Sequence, residues 1–183
     1  FENRGGQSFQ DITFTQGLGH IQKGHAISFA DFNNDGNQDI HAVMGGAFKG
    51  DLFPNALFEN SNDTNKWLKI KLIGTKSNKP AIGAKMRIQV KLKNGKTQSI
   101  YSNINSGGSF GANPLMAEIG LGDAIAISEL AIKWPNGLNT WKVYKNLNLN
   151  TKYSVSEDGT VEQMTHEAVP FDKSKASGHH HHH

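Results

Sequence analysis

Cysteine is absent from all 183 residues, so neither a disulfide framework, a thiolate metal centre nor a cysteine nucleophile is open to this chain, and compartment cannot be read from thiol usage. No apolar run approaches the length of a membrane-spanning helix. Helical periodicity is nearly missing as well. Phe1 falls inside what reads as a strand with no leader pattern before it, so the chain is expected to begin within a longer natural one. Native histidines are few (His20, His25, His41 and His166) and too scattered to imply a histidine-cluster metal site; His179 to His183 read as a purification tag. A hydrophobic content of 36% and a mean hydropathy of −0.52 fit a soluble protein with a modest core.

What the chain does have is oxygen in one short loop. Asp31, Asn33, Asp35, Asn37 and Asp39 alternate along nine residues around Gly36. Ca²⁺ takes six to eight oxygen ligands, so the expected set is the side chains of Asp31, Asn33, Asp35 and Asp39 with the carbonyl of Asn37. Gly36 would supply the sharp bend. An EF-hand would place a bidentate Glu at the twelfth position, where Ala42 stands, between two amphipathic helices. The flanks 26–30 and 40–44 instead read as strands, giving a metal-closed β-hairpin. The competing reading is an ordinary Asn/Asp/Gly turn. A weak Ca²⁺ site of this kind points to a secreted or cell-surface protein, since that ion is abundant outside the cell.

Twenty glycines and frequent Asn-Gly or Gly-Asp pairs cut the chain into short alternating segments, the pattern of an all-β protein. Strands are expected at 8–14, 25–29, 40–44, 56–59, 66–73, 84–92, 97–103, 117–120, 129–134, 140–145 and 151–155. Asn94-Gly95 predicts a type I′ hairpin. The polar stretch 61–65 marks a boundary, giving a Ca²⁺-loop unit at 1–62, a larger β-domain at 63–157, a polar tail at 158–178 and the tag at 179–183.

Between Asp63 and Glu118 there is no acidic residue, while ten lysines and arginines fall between Lys66 and Lys96. Alternation places Lys69, Lys71, Lys85, Arg87 and Lys91 on the solvent face of one sheet, either as a plain solubilising surface or as a contact for an acidic polymer, foremost a sulfated or uronate polysaccharide. A pI near 9.1 also permits nucleic acid, but interleaved aromatics and RNP-type signatures are missing, so that partner is not expected. Of the three tryptophans, Trp134 is in phase with Leu130 and Ile132 and reads as core, Trp67 is ambiguous, and Trp141 is the one expected at the surface as a sugar-stacking platform. The loop Ser106 to Gly111 lacks both the P-loop ending and the nucleophile-elbow spacing, and Asp51, Glu59, His20 and His25 show no pairing suited to acid–base work.

Two family patterns coincide with these segments. Gly24 to Asp39 with Ala56-Leu-Phe-Glu-Asn60, and a partial echo in 1–13, resemble the last repeat of an FG-GAP or VCBS protein. Asn65 to Asn78, Ile82 to Ile88, Ser106 to Gly111, Ile119 to Asp123 and Ile132 to Gly137 resemble an ASPIC/UnbV domain, with Ile119 replacing the family's usual aromatic. The resemblance implies a partial propeller-type blade with a Ca²⁺ hairpin, followed by a β-sandwich or barrel-like domain. It implies an extracellular Ca²⁺-binding, adhesion-like or ligand-binding protein with no catalytic residues to carry over; together with the basic face and the tryptophans, the expected function is a non-catalytic binding or adhesion module for carbohydrate or a protein partner. A structural cap on a larger propeller and a polysaccharide-active enzyme are the alternatives. Since one and a half repeats cannot close a propeller, open strand edges are expected to meet the rest of a parent chain or another copy.

Overall fold

The computed structural model describes residues 1–4, 6–46, 49–50, 53–61, 64–108 and 114–172, and among them every regular element is a strand. The chain forms two units, Phe1–Phe32 with Gln38–Ser61, and Asn33–Asn37 with Asn62–His183.

In the first unit, β1 (Glu2–Asn3) pairs antiparallel with β2 (Phe9–Gln10), and β3 (Gly24–Ala30), β4 (Asp39–Met44) and β5 (Ala56–Phe58) form an antiparallel sheet in the order β3-β4-β5. The expected strand 8–14 shrinks to two residues because the Asp11 carboxylate accepts the Thr13 N–H at 2.9 Å and turns the backbone, after which Ile12 to Leu18 close a series of turns. Register aligns Ile27 with Ala42, and Phe29 with Ile40 and Phe58, so one face of the sheet is apolar. Ile27 and Phe29 remain 64% and 63% exposed.

The second unit holds two four-stranded sheets. One runs β11 (Trp141–Tyr144), β10 (Ala124–Lys133), β7 (Lys85–Leu92), β8 (Thr97–Asn103); the other runs β13 (Val161–Met164), β12 (Thr151–Ser156), β6 (Lys66–Ile73), β9 (Met116–Gly122). All neighbours are antiparallel except β6 and β12, which are parallel. Alternate residues of both sheets meet in a single apolar core that includes Leu68, Ile70, Met86, Ile88, Val90, Leu130, Ile132 and Val155, all fully buried. Each such side chain contributes about 1.5–3 kcal/mol through removal from water. Neither sheet closes on itself, so the barrel-like alternative is corrected to an open two-sheet arrangement.

Three further expectations change. The Asn94-Gly95 turn is not type I′, because only Gly95 has positive φ (80°); Gly95 N–H bonds to Leu92 O and Leu92 N–H to Lys96 O, the pattern of a three-residue loop with glycine in αL. Strand β10 begins at Ala124 rather than 129, its alternation broken by irregularities between Ala124 and Ala126 and between Ile127 and Glu129. The segment expected as a polar tail contains β13, paired with β12 across a second three-residue loop built like the first: Gly159 N–H bonds to Ser156 O and Ser156 N–H to Thr160 O.

The first residue of that second loop, Glu157, is 7% exposed. Its Oε2 accepts the backbone N–H groups of Thr75, Lys76 and Ser77 at 2.8, 2.7 and 2.8 Å, and its Oε1 accepts the Ser77 hydroxyl at 3.0 Å and the Asn136 amide at 2.8 Å. Burial pushes the carboxyl upward, but the five donors outweigh it and hold the pKa at about 2. Because the folded value lies below the ordinary 4.5, this stabilisation is fully present above about pH 4.5 and is lost as pH falls toward 2. It should amount to on the order of 3 kcal/mol. In urea unfolding followed from neutral pH down to about pH 2.5, Glu157→Gln should start less stable and lack this part of the acid loss. Parallel pH profiles for the two proteins would refute the assignment.

Candidate functional site

Strand β7 alternates strictly, sending Met86, Ile88 and Val90 into the core and Lys85, Arg87, Gln89 and Lys91 outward. Register then fixes who stands beside them. Lys85 lies opposite Lys133 on β10 and Asn103 on β8, and Lys133 lies opposite Trp141 on β11. The next row places Val143, Ala131, Arg87 and Tyr101 side by side. A cross-strand row of four spans about 14 Å at the usual strand spacing.

Within this outer face, the Arg87 guanidinium sits 5.6 Å from the Trp141 ring centroid and pairs with Glu129 at 2.9 Å. Ala131, which lies between Arg87 and Val143 in its row, is fully buried although it points away from the core. Trp141 remains 42% exposed and Tyr101 69% exposed. Together with Lys85, Met86, Ser102 and Asn103 they line a shallow cavity of about 340 Å³. Lys85, Lys91 and Lys133 form no ion pair among the described residues. Tyr101 and Lys133 were not among the expected contact residues; their phase follows from alternation in β8 and from the register that β10 takes after its irregularities.

The expected single cationic face is corrected to two. Lys69 and Lys71 belong to β6 in the other sheet, and only Lys71 is exposed. Lys69 is 4% exposed; its ammonium is 3.3 Å from Glu118, its direct partner on β9, and donates to Asn34 Oδ1 at 3.2 Å. A lysine so placed is held by its neighbours and does not greet a ligand. Trp67 is half-buried, its ring 4.6 Å from the His166 ring, whereas Trp134 is core, donating Nε1–H to the Tyr144 hydroxyl at 3.2 Å. Tyr144 in turn donates to Ser156 O at 3.2 Å, and burial raises its phenol pKa.

The oxygen-rich loop is divided between the units. In the first, Asp31 follows β3, half-buried, and Asp39 opens β4, fully buried, with Oδ2 accepting the Phe32 N–H at 3.1 Å and Oδ1 the Asn60 N–H at 2.9 Å. In the second, Asp35 Oδ1 accepts the Asn37 N–H at 2.8 Å, Asp35 Oδ2 the Asn33 amide at 2.9 Å, and Asn33 Oδ1 the Asp35 N–H at 3.2 Å. Gly36 has φ 97°, and a Cβ there would run into the Trp67 indole, so conformation and space both require glycine. Among the described residues, no group of three or more His, Asp or Glu is gathered as a metal site. Of the remaining candidates, Asp51 and residues 109–111 of the 106–111 loop lie outside the described residues.

The two contrasting tryptophans make a direct check. Trp134→Ala should cost about 3–5 kcal/mol in denaturant unfolding, as a large buried side chain does. Trp141→Ala should cost about 1 kcal/mol, the scale of an exposed cation–π contact. Equal losses would contradict the placement of Trp141 on an outer face.

Residues 74–162, from the loop after β6 into β13, match the family model described as ASPIC and UnbV. No curated protein matches the chain. The stretch that resembles an ASPIC/UnbV domain in sequence thus coincides with most of the two-sheet unit, and it is there that similarity to a known family is found.

Proposed function

We propose that this chain is a non-catalytic, extracellular binding module that recognises carbohydrate through the outer face of the β11-β10-β7-β8 sheet. The observation that carries this reading is the pair of exposed aromatics, Trp141 and Tyr101, bordering one shallow cavity on a sheet whose other face gives Met86, Ile88, Val90, Leu130 and Ile132 to the core. Aromatic rings with an apolar face and a polar edge suit the mixed C–H and hydroxyl surface of a sugar. A glycan array probed with the Ca²⁺-loaded protein should give specific hits that Trp141→Ala reduces. Silence across the array would reject the reading in favour of a structural cap, and shortened products would favour an enzyme.

The cap alternative, in which the first unit is an FG-GAP/VCBS-like blade at the end of a propeller, draws support from the apolar side chains that its three-stranded sheet leaves exposed.

Ca²⁺ is the proposed ion for the hairpin loop. The donor chemistry fits a hard cation, since Asp31, Asn33, Asp35, Asn37 and Asp39 offer only oxygens, and the carboxylate oxygens that accept N–H groups keep further lone pairs. Bound Ca²⁺ would offset two of the three carboxylate charges of Asp31, Asp35 and Asp39. Titrating the chelated protein with Ca²⁺ should raise the melting temperature by several degrees, a gain that Asp35→Ala abolishes. An unchanged melting temperature over millimolar Ca²⁺ would remove the ion from the account.

A further inference from the structure

We infer that the ligand of this face is an anionic glycan, a chain of sugars bearing carboxylate or sulfate groups, laid along the row Trp141, Lys133, Lys85 and Asn103. The inference rests on the carbohydrate-binding reading and adds to it the charge class of the sugar and its path across the sheet.

Charge and register select this ligand together. The outer face carries Lys85, Arg87, Lys91 and Lys133, with Glu129 as the carboxylate among them, and Glu129 is already engaged by Arg87 at 2.9 Å. Lys85 and Lys133 face each other directly across β7 and β10, where like charges repel unless an anion lies between or above them. They stand between Trp141 at one edge strand and Asn103 at the other. Arg87, tied to both Glu129 and the Trp141 ring, holds that ring in place. The order across the sheet is therefore aromatic, cation, cation, amide. An oligosaccharide crossing the strands would stack one ring on Trp141 and bring acidic substituents over the two ammonium groups. Its hydroxyls would meet Asn103 and the adjacent Tyr101.

Bulk basicity would give a different outcome, because Lys71 on the other sheet is also exposed to a non-specific polyanion. The test is titration calorimetry with heparin-derived and oligogalacturonate hexasaccharides, which separate sulfate from carboxylate. A neutral cello-oligosaccharide and a single-stranded oligonucleotide of similar length serve as comparators. At least one acidic sugar should bind, more tightly than the neutral one, with affinity falling as salt rises. Lys85→Glu/Lys133→Glu should weaken that binding by about tenfold or more, as should Trp141→Ala, while Lys71→Glu leaves it within about twofold. Tyr101→Ala gives a second aromatic probe that leaves the Arg87–Trp141 stack intact, and circular dichroism checks that each variant is folded. Equal loss in Lys71→Glu, or equal binding of the oligonucleotide, would overturn the proposal by showing a general polyanion effect. Neutral sugars bound as tightly as acidic ones would overturn the charge class while leaving the carbohydrate reading intact. Absence of any sugar binding would defeat both.

Discussion

The Glu157 carboxylate is the interaction on which the second unit's loop architecture turns. It reaches from the β12–β13 loop to three consecutive amides after β6 and to Asn136 after β10, so one side chain joins connections belonging to both sheets. Three N–H groups converging on one oxygen form a nest with partial positive charge, and an anion there costs little desolvation beyond what the donors return. Lys142 adds a bond from its ammonium to Glu157 O at 2.7 Å, binding the same loop to β11. The outer face inherits this order, since Lys142 and Trp141 are neighbours on that strand.

A division of labour between the sheet faces follows. Inward residues of β7 and β10 are aliphatic and without polar atoms, which makes the core indifferent to what happens outside it. Outward residues are then free to carry Arg87, Trp141 and Tyr101, whose mutual arrangement is set by strand register and by the bonds of Arg87 to Glu129 and the Trp141 ring. A rigid two-sheet scaffold that holds polar and aromatic groups at fixed spacing needs little reorganisation on binding.

Much of this architecture was legible in the sequence. The strict alternation of 85–92 and the phase of Trp134 with Leu130 and Ile132 followed from a period of two, and the exposure of Trp141 from its place after the turn at 135–137. Where reading failed, a local physical event intervened. Irregularities in β10 broke its alternation, and an Asx turn at Asp11 ended a strand early. The strand β13 carries polar side chains because it is an edge strand with little to bury. Lys69 misled for another reason: its buried ammonium is matched by Glu118 and Asn34, residues distant in sequence, and no local pattern announces such a partner. Glu157 was invisible likewise, since its donors lie some eighty positions away. The oxygen-rich loop was conspicuous as a motif, but its division between two units could not be inferred from spacing.

The parallel pairing of β6 with β12 has a kinetic consequence. Trp67 and Asn150, which exchange backbone and side-chain hydrogen bonds at the start of that ladder, are 83 residues apart. Contacts of such long range must be reached against loop-closure entropy, which slows folding. On a ribosome adding roughly 5–20 residues per second, β6 waits several seconds for this neighbour to be made. During that interval β9 is the one sheet neighbour available to pair with an edge of β6, and the charges on Lys66, Lys69 and Lys71 discourage the nascent strand from pairing with another chain.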